Sequence, residues 1–282
     1  MKLGHPGFIS MANNAYHADV SSIGHSKLLK VLRSPAHYKY SLDNPMEPTP
    51  AMAFGTAVHA AVLEPDLFDS QFGVMPKYDR RTKEGKEAAA KFESENLGKT
   101  MITEDDVQAI SQIKFNIAQH FGASSKLKRG TAELSGFWTD VETGVNCKIR
   151  PDWLVQNEDG EVIAIVDVKT TKDASLDGFS KAIANFGYDV QAAWYQEGVK
   201  QILGKELPFY FLCVESTSPH NVALYKSSSE LIEVGRKKMR AGLEIFKWCT
   251  DAKQWPGYQA SGEEEEISLP RWSVTSAAAY DI

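Results

Sequence analysis

Cysteine is scarce in this chain. There are three in 282 residues, Cys147, Cys213 and Cys249, all far apart. That spacing excludes a CxxC redox pair and a zinc-ligand pattern, and it fits the reduced thiols of a cytoplasmic protein. Long apolar runs are missing too. Nothing approaches the roughly 18 residues that cross a bilayer, and "MKLGHPGFISMANNAYH" lacks the basic-then-apolar order of a signal peptide. Nor is there an excess of positive charge: the net charge is −6. This excludes a surface that grips a polyanion over its whole extent. It leaves room for a local basic groove, because phosphate affinity depends on where charges sit. Part of the acidity lies in "GEEEEIS" (262–268), which reads as a solvated loop. Internal repeats and long low-complexity segments are absent.

What remains is a chain with 43% hydrophobic residues, enough for a core without disulfides or metal staples. Length gives a soft prior of about two domains, yet one α/β domain of this size is common. The reading adopted is one domain over 1–282, mainly helical through 125, with a sheet core and closing helix over 126–282. The start is irregular to about Asp19. A helix over 21–44 is capped by Ser21 or Ser22, with Pro35 opening a second helical turn and Pro45 ending it. A second helix covers 49–65, its small residues suited to close packing. The segment 76–96 is basic, then helical. Over 103–121 an acidic first turn precedes Val107, Ile110, Ile113 and Ile117 at helical spacing. After Gly130 the period changes to strands through 171, with turns at 140–144 and 157–161. A helix (187–204), two strands (207–216 and 221–227) and a last helix (228–249) follow. The pattern predicts an α/β layer with a mixed sheet. Trp138, Trp153, Trp248 and Trp255, Phe209 to Phe211, and Cys147 read as packing residues.

One strand stands out. In "IAIVDVKTT" (163–171) an apolar run is interrupted by Asp167 and followed by Lys169. Residues two apart share a strand face at roughly 6–7 Å, so Asp167 and Lys169 lie together and Val166, Val168 and Thr170 lie opposite. The turn at 157–161 folds "IRPDWLV" (149–155) back against this strand and brings Asp152 toward Asp167. Two carboxylates held together repel and stay ionised when a cation sits between them. An oxygen-lined site of this kind suits Mg²⁺ or Mn²⁺. A neighbouring lysine holds or activates a water, or neutralises charge growing on a phosphate. That set of groups serves phosphodiester hydrolysis. An isolated Asp-x-Lys is more often an exposed ion pair of little worth; the apolar run and Asp152 tip the balance.

These residues resemble the PD-(D/E)xK nuclease motif, with Pro151-Asp152 as its first half and Asp167-Val168-Lys169 as its second. "GTAVH" (55–59) is similar to the Gly-x-x-x-His motif of the RecB-like branch, and "QAAWY" (191–195) to its Gln-x-x-x-Tyr motif. Gln191 and Tyr195, four apart on a helix, share a face. Most of the chain resembles the nuclease-domain family of exodeoxyribonuclease VIII (RecE), through "SPAHY" (34–38), "FGTAVHAAVLEP" (54–65), "RRTKEGKE" (80–87), "RPDWLV", "VDVKTT" and "SLPRW" (268–272). The three cysteines argue against the iron–sulfur branch of the superfamily.

The resemblance implies a restriction-endonuclease-like core and a Mg²⁺- or Mn²⁺-dependent 5′→3′ exonuclease on double-stranded DNA ends. One or two ions are held by His59, Asp152, Asp167 and the Val168 carbonyl, with Lys169 positioning or deprotonating the attacking water. Gln191 and Tyr195 become cleft residues that contact the phosphate or order the lysine, and Glu133 a metal-linked or supporting acid. Products are 5′-mononucleotides and 3′ overhangs for recombination, beside a single-strand annealing protein in phage-derived operons, from a cyclic homo-oligomer. Arg80, Arg81, Lys83 and Lys86 are candidates for tracking the DNA backbone, and Ser26 and Arg33 for lying near the 5′ end. Two alternatives stay open: a structure-specific endonuclease on the same core, and a non-catalytic DNA-binding or assembly protein.

Overall fold

The structure is a computed structural model that describes residues 7–79 and 81–270. The N-terminal half carries β1 (Phe8–Ile9), α1 (Asn13–Ala18), α2 (His25–Arg33), α3 (Pro35–Asp43), α4 (Pro50–Leu63), a 3₁₀ turn (Pro65–Leu67) and α5 (Phe68–Gln71). It continues through β2 (Phe72–Met75), α6 (Lys83–Glu95), β3 (Thr100–Thr103), α7 (Glu104–Gln119) and α8 (Phe121–Leu127). The second half runs β4 (Gly130–Ala132), β5 (Ser135–Thr139), β6 (Asn146–Ile149), β7 (Trp153–Gln156), β8 (Val162–Thr171), α9 (Leu176–Phe186), α10 (Tyr188–Leu203), β9 (Phe209–Glu215), β10 (Val222–Lys226) and α11 (Ser229–Ala252).

Local chemistry sets most boundaries. The Thr49 hydroxyl accepts the Met52 N–H, with Pro50 as the first helical residue of α4. Thr103 and Asp106 form a reciprocal capping box at α7. The single helix expected over 21–44 is in fact two. Ser34 is extended, as a residue before proline prefers, and its side chain caps α3. The cap also shifts, from Ser21 or Ser22 to Gly24, because Ile23 is held in a bridge to Cys147. The irregular start is partly ordered as well, since Phe8–Ile9 adds an edge strand to β5.

The central sheet has the order β10-β9-β8-β7-β4. Its neighbours are antiparallel except β8 and β9, which are parallel and joined through α9 and α10. This is the mixed sheet flanked by helices that the sequence pattern indicates. The strand run after Gly130 does not make one meander, however. At Glu133 the backbone takes a left-handed turn (φ 52°) and leaves the sheet. β5 and β6 then form a hairpin in a second sheet of order β1-β5-β6, and the chain returns at Trp153. The turn at 157–161 is fixed by the Asn157 side chain, which accepts the Asp159 and Glu161 N–H groups.

The two faces of the central sheet bury separate cores. On one, Leu154, Ile165, Phe209 and Phe211 pack against Trp194 and Val190 of α10 and Phe179 of α9. On the other, Val166, Val168 and Leu212 pack against Ala57 and Val58 of α4 and Ile113 of α7. The small residues of α4 allow this approach: a Cβ on Gly55 would lie 3.1 Å from the Thr170 hydroxyl. Among the described residues no helix is long and apolar enough to cross a membrane. Glu263 to Glu266 are exposed, and all three cysteines are buried and free.

Candidate active site

The site is built where β7 and β8 meet the end of α4. Register pairs Trp153 with Val166, which sets the preceding residue, Asp152, across from Asp167. One oxygen of Asp152 does two jobs. Oδ2 accepts the Val168 N–H at 2.8 Å and lies 3.3 Å from Nδ1 of His59. The two halves of the motif are thereby tied by a backbone hydrogen bond.

Asp167 is fully buried. Gln191 Nε2 donates to its Oδ1 at 2.7 Å, and Lys169 Nζ lies 2.5 Å from its Oδ2. The Lys169 ammonium also sits 4.7 Å over the centre of the Tyr188 ring. Burial pulls the lysine pKa down, but Asp167 and then Asp152 outweigh it, so the net shift is upward and the amine is charged at neutral pH.

The carboxylates show the opposite strain. Burial, opposed by Lys169 and the Val168 N–H, leaves Asp152 raised to about 6. Burial and the charge of Asp152 raise Asp167 to about 6. Burial and Asp152 raise Glu133 to about 8, against the pull of Arg150. His59 moves down to about 4 through burial and Lys169, so its imidazole is neutral and able to ligate. His59, Glu133 and Asp152 offer ligand atoms that all lie within 4.8 Å of one another. One neutral imidazole nitrogen with buried carboxylates that resist ionisation is a donor set that fits a divalent cation such as Mn²⁺ or Mg²⁺.

Glu133 owes its place to the left-handed turn that ends β4, a costly conformation for a residue with a Cβ. Its N–H donates to the Asp152 carbonyl at 3.2 Å. Behind it, the buried Arg150 is held by Ser135, Asn13 and the Met11 carbonyl, with Nε 3.9 Å from Glu133 Oε2. The group opens into a cleft of about 1380 Å³, lined in part by Gly55, His59, Glu133, Lys169 and Tyr188.

The structure thus brings His59, Glu133 and Asp152 into one set of ligand atoms, with Asp167, Val168 and Lys169 beside it. The Asp167 oxygens are engaged by Gln191 and Lys169 and do not join that set. Gln191 and Tyr195 share a helix face as expected, but neither lines the cleft. The Gln191 amide is spent on Asp167, and Tyr195 is buried edge-on against His25, ring centres 5.3 Å apart. Their place is behind the site, as supports. The basic candidates sit elsewhere. Ser26, Arg33, Arg81, Lys83 and Lys86 are exposed, and none lines the cleft. Arg33 donates to the Tyr258 hydroxyl at 3.4 Å, and Lys83 pairs with Glu87 along α6. Arg80 and the end of "SLPRW" lie outside the described residues. Sequence reasoning missed Tyr188, Arg150 and His25. Tyr188, three residues before Gln191, carries a helical-spacing signal; the other two carry none.

A family model described as a PDDEXK-like domain of unknown function (DUF3799) matches residues 24–268. The chain belongs to this family. The PDDEXK-like assignment places it in the PD-(D/E)xK nuclease superfamily, and the Pro151-Asp152 and Asp167-Val168-Lys169 halves lie within the matched span. Among solved structures, the "Putative exonuclease" from Eubacterium rectale aligns at TM-score 0.60 and 14% identity. The alignment covers 95% of this chain and 99% of that one, a likeness of fold. The structure of SSO0001 aligns at TM-score 0.33 and 12% identity over 81% of each chain, too weak to carry an argument. No curated protein sequence matches.

Proposed function

We propose that this PDDEXK-like chain is a metal-dependent nuclease that degrades double-stranded DNA from its ends, 5′→3′. It releases 5′-mononucleotides and leaves 3′ single-strand overhangs for recombination. The observation that carries the reading is the convergence of His59, Glu133 and Asp152 beside a buried Asp167–Lys169 pair. The fold shared with the Eubacterium rectale protein is consistent with it.

His59, Asp152 and Asp167, with the Val168 carbonyl and Glu133, are the groups assigned to one or two Mg²⁺ or Mn²⁺ ions. A bound cation would polarise the scissile phosphate and acidify a water. The chain's own residues do the rest. Lys169, charged and held by Asp167, donates a hydrogen bond to orient the water or to offset charge on the phosphate oxygens. Against burial, Asp167 and then Asp152 hold its pKa up, which keeps the amine charged and able to donate. Gln191 keeps Asp167 turned toward the lysine. Tyr195, on the same face of α10 as Gln191, is buried, and burial first, then Asp167 and Asp152, hold its phenol pKa well above the usual value. A cytoplasmic location, a ring of subunits enclosing the duplex and an annealing partner complete the proposal.

The test is digestion of a linear duplex labelled at the 5′ or 3′ end, with Mg²⁺ or with EDTA, beside a closed circular duplex. Expected are Mg²⁺-dependent release of the 5′ label as mononucleotide, a persistent 3′ overhang and an intact circle. A cut circle favours the endonuclease reading, and no release under any divalent ion overturns both.

A further inference from the structure

Helix α9 presents a regular face to the cleft. Gly178, Lys181, Ala182, Asn185 and Phe186 all line it. Their spacing, i, i+3, i+4, i+7 and i+8, is one stripe of an α-helix. At the edge of this stripe, seven residues before Phe186, Phe179 anchors the helix: it is buried, stacked 5.9 Å from Tyr225 and packed 5.3 Å from Phe211. The helix that carries the cleft face is thereby held against the sheet. Phe186 at its end is 63% exposed, a large apolar ring left open to solvent. Its ring centre lies 5.7 Å from that of Tyr188, a ring that also packs on Phe179 and Phe211 and carries the Lys169 ammonium 4.7 Å over its centre. An aromatic path thus runs from the amine of the motif to an uncovered ring on the cleft wall, with the Asn185 amide immediately before it and the Lys181 ammonium five residues back.

We propose that this face of α9 binds an unpaired stretch of DNA strand, with Phe186 stacking on a base and Lys181 pairing with a backbone phosphate. The inference rests on the reading of the cleft as a nucleic-acid site and adds the strand contact to it. Stacking fits the chemistry because every base has a π-face, so one exposed ring serves any sequence. A nuclease that shortens strands without regard to sequence needs that tolerance. The Lys181 ammonium now pairs with Asp177 at 2.7 Å on a largely exposed surface, a contact weak enough to be exchanged for a phosphate. Ala182, small and on the same stripe, lets the strand run close to the helix there, whereas the space beside Gly178 is taken by the Asp173 side chain.

The test separates binding from cleavage. A single-stranded oligonucleotide carrying 2-aminopurine is titrated in EDTA, so that nothing is cut, and quenching by stacking is read along with affinity. Wild-type protein is expected to bind and quench. Phe186→Ala should lose the quench and bind about 5- to 150-fold more weakly, and Phe186→Trp should restore both. Lys181→Ala should keep the quench and lower the salt slope of binding by about 0.7. Thermal melting of each variant should match wild type, since both side chains are exposed. Quenching and affinity unchanged in Phe186→Ala, or no binding of the oligonucleotide by wild type, overturns the proposal. Binding with the expected losses but no cleavage in Mg²⁺ upholds it while removing the nuclease reading.

Discussion

Oδ2 of Asp152 accepts the backbone N–H of Val168 at 2.8 Å, so the acid of the first motif half is fixed by the strand that carries the second. An asparagine at 152 can keep that hydrogen bond through its carbonyl oxygen while losing the charge. Asp152→Asn should therefore fold, with a metal-free melting temperature equal to or above wild type, because a buried carboxylate raised to about 6 no longer has to be ionised. The rise in melting temperature that Mn²⁺ gives the wild type should vanish. Differential scanning fluorimetry with and without Mn²⁺ reads both effects. A metal-induced rise that survives in the variant contradicts the ligand role.

Gln191 is a support whose loss is felt first in stability. Removing its amide leaves Oδ1 of a fully buried Asp167 without its donor. An unsatisfied buried acceptor costs about 1–3 kcal/mol, toward the upper end when charged. Gln191→Ala should lower the urea-unfolding free energy by about that amount and cut activity as the Asp167–Lys169 pair loosens. An unchanged urea midpoint would show that Asp167 does not depend on this bond.

The acidic groups give a pH dependence with a definite sign. Asp152, Asp167 and Glu133 all have folded-state values above their ordinary ones, at about 6, 6 and 8. The folded state therefore holds these protons more tightly than the unfolded chain. The stabilisation is complete below about pH 4 and is lost as pH rises through 6 and then 8. A divalent cation replaces the protons, so its stabilising effect grows over the same window. Melting curves from pH 5 to 8.5 should show metal-free and Mn²⁺-loaded protein close together at the acid end and diverging upward. A gap that is constant with pH contradicts the assignment.

Packing behind the site makes Gly235 intolerant. Alanine in the middle of a helix normally gains about 1 kcal/mol over glycine. Here its Cβ would lie 2.0 Å from the Asp189 carbonyl oxygen on α10, a backbone atom that cannot swing away. The collision outweighs the propensity, and overpacking of this kind costs about 1–3 kcal/mol or more. Because α10 carries Tyr188 and Gln191, Gly235→Ala should reduce both thermal stability and activity. A variant more stable than wild type would show that the helices separate freely.

Much of this arrangement is legible in the chain itself, for reasons that differ by element. The DVK strand and the RPDW segment are read from period-two alternation and a turn signal, both local. Helix α7 announces itself by its acidic first turn and its apolar spacing. The gaps arise where distant contacts decide. Phe8–Ile9 is too short to show a period and is a strand because β5 offers an edge. Glu133 leaves the sheet through a left-handed conformation that no residue preference foretells. Helix α9 opens with an exposed Leu176, then Asp177 and Gly178, and is held in place by Phe179 against the sheet. Basic runs such as that around Arg81 and Lys83 draw the eye in sequence, yet the cleft cations are the scattered Lys169, Lys172, Lys181 and Arg150.

The central claim is that His59, Glu133, Asp152 and Asp167 hold a divalent cation beside the Lys169 ammonium. Anomalous diffraction from crystals soaked in Mn²⁺ addresses it most directly. The account predicts a peak bounded by the His59 imidazole and the Asp152 carboxylate, on the cleft side of Lys169. Mn²⁺ absent from that position at saturating concentration, or bound only at the surface glutamates 263–266, would contradict it.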